Sequence, residues 1–75
     1  MEREKIFLSN LDLKIINFLK EEHNITEIVD KFNLSFSQCK RHIKRIERFL
    51  TKRTYGTFKF LIINNKGVEV SNLFK

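Results

Sequence analysis

Apolar residues recur at the spacing of one helical face from Leu11 through Ile15, Phe18 and Leu19, with Ile16 at the edge of the stripe. Ser9 precedes that stripe and Asp12 follows three residues on, the pattern of an N-terminal cap, so a first helix is predicted over residues 10–22. His23 and Asn24 break it. Asn24 with Glu27 is a second capping signal and opens a helix of about two turns through Ile25, Ile28, Val29 and Phe32. Asn33, Leu34 and Ser35 leave room only for a turn. Ser35 with Gln38 makes a third cap, and a third helix is read over residues 36–51.

On a wheel of ~100° per residue with Cys39 at zero, Ile43, Ile46 and Leu50 fall within about 40° of it, a narrow apolar seam. Ser37, Arg41, Lys44, Arg45, Arg48 and Lys52 fall on the far side, between about 140° and 240°. One face is predicted to be core and the other cationic. Phe36 lies about 60° from Cys39, beside the seam, which favours a core role for it. After Leu50 the pattern becomes extended, with Thr54, Tyr55, Thr57, Phe58, Phe60, Ile62 and Ile63 as β-formers. Two turns compete for the hairpin tip, Tyr55-Gly56 and Asn64-Asn65-Lys66-Gly67. The first leaves a short capped C-terminal helix carrying Val70, Leu73 and Phe74; the second makes Val68-Glu69-Val70 a returning strand.

With 75 residues, 41% hydrophobic and 32% charged, the chain has material for one folded domain over residues 1–75. Its longest apolar run is Phe60-Leu61-Ile62-Ile63, far short of the roughly 20 residues that cross a bilayer, so no membrane span is expected. The first five residues lack a signal-peptide pattern, and a single cysteine makes no internal disulfide, which places the chain in the cytoplasm. Two glycines and no proline leave little for cofactor-cradling loops. A binding protein is expected, not an enzyme, with no catalytic set, cofactor or metal.

Charge sharpens that expectation. The net +6 is unevenly divided: residues 1–34 hold five cations against seven anions, and residues 35–75 hold ten against Glu47 and Glu69. Residues 35–53 alone carry seven cations against Glu47. A merely solvated helix face usually interleaves acids with its bases, whereas a field this concentrated attracts a polyanion.

Three helices, a tight turn before a cationic third and a hairpin after it compose an α+β winged helix-turn-helix, with the helix-turn-helix over about 24–52 and the wing over about 53–67. The segment NITEIVDKFNLSFSQCKRHIKRIERFL, residues 24–50, resembles the helix-turn-helix of LysR-type transcriptional regulators, and less closely those of the ModE and MarR groups. The shared features are Thr26, an apolar residue and Ser before the third helix, Ser37, Arg41, Ile43, the bases at 44 and 45, Ile46-Glu47 and Leu50. Residues 53–67 are similar to that family's wing and the Thr-x-x-Gly element after it, with Asn64 replacing the capping Thr. The resemblance implies DNA contacts at Ser35, Phe36, Ser37, Lys40, Arg41 and Arg53. Phe36 and Lys40 depart from the family's usual glutamine and small polar residue, so its sequence preference does not carry over. The chain has no residues for that family's effector domain, and no small-molecule effector is implied.

If the third helix lies in the major groove, Ser37, Gln38 and Arg41 are the base readers, joined by Lys40 and by Phe36 against a thymine methyl. Gln38 can pair bidentately with adenine and Arg41 with guanine. Ser35, Lys44, Arg45 and Arg48 are assigned to the DNA backbone, and Lys52, Arg53, Tyr55 and Lys59 to the wing. Cys39 and His42 lack a second ligand pair and read as a core and a boundary residue; His23 reads as closing the first helix, and Glu21-Glu22 as a solvated helix end. The expected function is sequence-specific duplex-DNA binding in transcriptional regulation, with repression favoured because so small a domain has little surface for recruiting polymerase. The alternatives are an interaction or assembly module, which Phe7, Phe49 and Phe74 would serve as aromatic surface, and a recombination or replication accessory factor. Ile6, Phe7, Leu8, Val70, Leu73 and Phe74 suggest a homodimer through the termini.

Overall fold

The computed structural model describes residues 8–73. Four helices and a three-stranded antiparallel sheet follow in the order α1 (Asn10–Phe18), β1 (His23–Asn24), α2 (Ile25–Phe32), α3 (Phe36–Arg45), a 3₁₀ turn (Glu47–Phe49), β2 (Leu50–Tyr55), β3 (Phe58–Ile63) and α4 (Asn65–Leu73). This is the small winged helix-turn-helix.

All three predicted caps form. Ser9, Asn24 and Ser35 each accept from the backbone N–H three residues on, while Asp12, Glu27 and Gln38 accept from the cap N–H in return. These boxes satisfy donors that a helix start would otherwise leave open. Asn33 ends α2 in the left-handed conformation at φ 54°, which a short polar side chain tolerates, and so turns the chain tightly into α3.

The core gathers Ile15, Ile16 and Leu19 of the first helical segment, Ile28, then Cys39, Ile43 and Ile46 of the predicted seam, with Phe49 and Leu61. Two helices are shorter than their periodicity predicts. The first ends at Phe18 because His23 and Asn24 are recruited as a strand, pairing antiparallel with Leu61 and Phe60. His23 therefore does not close a helix; its ring stacks on Phe18 at 3.9 Å and 6°. The third ends at Arg45 instead of residue 51. On a continued helix Phe49 would lie about 80° from the seam, and the tighter 3₁₀ turn swings it into the core, 4% exposed. Phe49 is thus not aromatic surface, and Leu50 is the first residue of a strand.

The hairpin tip is the first of the two candidate turns. Gly56 at φ +63° takes the positive value that the first position of a two-residue type II′ turn needs, and Tyr55 faces Phe58 across it. The wing therefore runs over residues 50–63, and the tail is a helix. Asn64 secures that helix: its Oδ1 accepts from Gly67 N at 3.0 Å, and its Nδ2 donates to Arg48 O at 2.8 Å. Ser71 Oγ donates to Asn17 Oδ1 at 2.6 Å and ties α4 to α1. Among the described residues no helix is long and apolar enough to cross a membrane. Residues 1–7 and Phe74, on which much of the expected terminal dimer contact falls, lie outside the described residues.

Candidate nucleic-acid interface

With α3 ended at Arg45, its polar residues sort into three rows. Ser37 and Arg41 form the crown, farthest from the Cys39–Ile43 seam, and both are exposed. Lys40 and Lys44 line the flank that faces the hairpin. His42 and Arg45 turn the other way, toward α1.

The hairpin's register sets its half of the surface. Cross-strand partners share a face of the sheet, so Lys52 and Leu61 lie on one side with Thr54 and Lys59, and Arg53 and Phe60 lie on the other with Tyr55 and Phe58. Between α3 and the first of these faces runs a groove of about 520 Å³. Ile25, Ile43 and Leu61 are part of its floor, and Lys40, Lys44, Lys52 and Lys59 rim it. Glu47 is its one acid and pairs with Lys52 at 3.4 Å. Lys40, Arg41, Lys44 and Lys59 have no hydrogen bond or ion pair among the described residues. Four uncompensated cations on one surface set up a positive field that no internal pairing cancels.

Several predicted contacts have other partners here. Arg45 donates to Asp12 Oδ2 at 3.2 Å, so it is half-engaged by the fold and not a free backbone cation. Arg48 lies beyond the end of α3, in the 3₁₀ turn, and leaves the cationic row that the wheel drew for it. Gln38 Oε1 accepts from Ser35 N at 3.0 Å, which commits to the cap the oxygen that a bidentate adenine pair uses. Ser35 Oγ accepts from Gln38 N at 3.1 Å and still has its own proton to donate. Phe36 is 55% exposed and not core; Leu34 packs against the core cluster in the turn ahead of it.

On the far face of the wing, Glu22 accepts from Tyr55 Oη at 3.0 Å and lies 3.6 Å from Arg53 Nη1. The reading of Glu22 as a solvated helix end is therefore wrong: it pins the hairpin. Asp12 is the other residue whose role exceeds its cap. Fully buried, it meets His42 Nδ1 at 2.6 Å through Oδ1 and Arg45 through Oδ2, joining α1 to α3 across 30 residues of chain. Burial pushes its carboxyl up, but bonds from His42, the Ser9 N–H and Arg45 outweigh that and hold it below the ordinary 3.8. The signal was present in the sequence: Asp12 is four residues before Ile16 and seven before Leu19, an acid on the apolar stripe. Cys39 is buried in the core, which raises its thiol pKa and leaves it unreactive.

The capped turn between α2 and α3, the exposed cationic third helix and the hairpin after it define a winged helix-turn-helix. The chain belongs to the helix-turn-helix domain family, whose model matches residues 13–51. No curated protein matches the sequence. Among solved structures, a variant of ZitR from Lactococcus lactis superposes with a TM-score of 0.82 at 13% identity, over 97% of this chain and 54% of ZitR. A ZitR variant in complex with DNA gives 0.78 at 13% identity, over 96% and 53%. The adhesin competence repressor AdcR from Streptococcus pyogenes gives 0.79 at 14% identity, over 88% and 54%. At these identities the likeness is one of fold, and the chain spans about half the length of each of these proteins.

Proposed function

We propose that the protein is a sequence-specific duplex-DNA-binding transcriptional regulator, with repression as its mode. One observation carries this reading: Lys40, Arg41 and Lys44 on α3 and Lys59 on the wing stand exposed and unpaired on one surface, in a domain whose other ion pairs are made internally. α3 enters the major groove, Ser37 and Arg41 approach base edges, and Phe36 reaches a thymine methyl from the first turn. Lys40 and Lys44 hold one backbone, Ser35 donates to a phosphate, and Lys52 and Lys59 hold the strand that passes the wing. Gln38 contributes through Nε2, its oxygen staying in the cap. The fold it shares with a ZitR variant bound to DNA and with a protein named a repressor supports the reading. The motif likeness to LysR-type regulators belongs to the same proposal, as does pairing into a homodimer on two half-sites.

The test is fluorescence anisotropy on a labelled duplex of about 30 base pairs across a salt series, since each neutralised phosphate contributes about −0.9 to the log–log slope. A slope of about −4 or steeper is expected. Absence of binding at low salt would sink the reading and leave the interaction-module alternative.

A further inference from the structure

Among the described residues the exposed large apolar side chains are Phe36, Tyr55, Phe58, Val68 and Leu73, and the three aromatic ones all sit at ends that approach DNA in the reading above. Phe36 opens α3; Tyr55 and Phe58 close the hairpin. Their circumstances differ. Tyr55 is held, its hydroxyl on Glu22 and its ring edge-on to Phe60 at 5.5 Å and 62°. Phe58 is 64% exposed and has no ring partner among the described residues.

A phenyl ring in water costs hydrophobic free energy, and nothing in the hairpin's own packing requires one here: the strand's buried position is Leu61. The last rung places Phe58 on the same face as the anchored Tyr55, and a two-residue turn gives the tip no slack. On its own face of the hairpin Phe58 has Tyr55 across from it and Phe60 two residues on, with Arg53 opposite Phe60, while Thr54 and Lys59 lie on the other face. An exposed ring at the tip of a wing whose other face carries Lys52 and Lys59 matches the base stack of a duplex whose phosphates those cations hold.

We propose that the wing tip is an aromatic wedge for duplex DNA. Phe58, backed by Tyr55, enters the minor groove beside the major-groove helix, partly unstacks one base step and kinks the duplex. This rests on the duplex-DNA reading, and two measurements keep the two apart. Anisotropy on the 30-base-pair duplex reads binding. Ligase circularisation of a fragment of about 120 base pairs, shorter than the ~150-base-pair persistence length, reads bending. The wild-type chain is expected to raise the yield of circles roughly tenfold over free DNA at saturating protein. At saturating protein Phe58→Ala should return that yield to the free-DNA level, with its salt slope unchanged because the ring neutralises no phosphate. Phe58→Leu, which keeps an apolar wedge, should retain part of the bending. Because Phe58 is exposed, circular dichroism should show all three chains equally folded. Wild type that binds duplex without promoting circles, or Phe58→Ala that promotes them as well as wild type, would overturn the wedge. Absence of duplex binding would overturn the DNA reading and the wedge with it.

Discussion

The carboxylate of Asp12 has no solvent contact and stays charged because three donors surround it: the Ser9 N–H, His42 Nδ1 and Arg45. A buried charge is tolerable only when its acceptor sites are filled in this way, and removing the charge strands its donors. Asp12→Asn should therefore lower stability by about 1–3 kcal/mol at neutral pH, read as the urea midpoint. Its pH dependence follows from the depressed pKa. With a folded-state value below the ordinary 3.8, Asp12 contributes its full stability above that pH and loses it as pH falls through the folded value. The gap between wild type and Asp12→Asn should accordingly narrow below about pH 4. Arg41 is the opposite case, exposed on the crown of α3 with no internal partner. Arg41→Ala should leave the urea midpoint unchanged and weaken duplex binding by about 1–3 kcal/mol in anisotropy.

Elements are fixed relative to one another by a few close approaches. A Cβ on Gly67 would stand 2.5 Å from Phe49 O and 2.7 Å from Ile63 Cβ, a backbone carbonyl and a branched side chain at the root of the hairpin. Gly67→Ala should push α4 off the 3₁₀ turn and cost about 1–3 kcal/mol of stability in thermal or urea unfolding. At the other end of the wing Glu22 holds Arg53 and Tyr55, so the hairpin is braced from α1's trailing loop. Glu22→Gln releases Arg53 to phosphate, and the salt slope of duplex binding should steepen by about 0.9. The caps, most of the seam and the turn at residues 33–35 were legible because each is set by residues close together in the chain. The ends of α1 and α3 were not. They depend on β1 pairing with β3 and on Phe49 reaching the core, contacts between residues far apart in sequence. The same division runs through the candidate site: Ser37, Lys40, Arg41 and Lys44 follow from helical periodicity, whereas the diversion of Arg45 to Asp12 and of Arg53 to Glu22 spans about 30 residues and leaves no local pattern.

At the scale of the whole molecule, the uneven charge becomes a spatial division. The acidic first part supplies Asp12 and Glu22, which are taken up within the fold by Arg45 and Arg53, and the basic second part supplies Lys40, Arg41 and Lys44 on α3 and Lys59 on the wing, which stay exposed. On the DNA reading proposed above, a single domain covers one half-site, and a longer target would take a second copy. The described surface offers one place for it. Leu73, at the end of α4, is 77% exposed and lies on the side of the fold built by α4 and α1, not in the groove between α3 and the wing. An apolar residue so exposed contributes nothing to the monomer's core, so replacing it tests association without testing folding. Sedimentation at tens of micromolar is expected to give twice the 9.1 kDa chain mass, and Leu73→Glu to return it to 9.1 kDa with an unchanged circular dichroism spectrum. The same variant should still bind a duplex through its helix and wing, with the cooperativity between half-sites lost. A wild-type chain that sediments at 9.1 kDa throughout that range would count against a homodimer through this end of the fold.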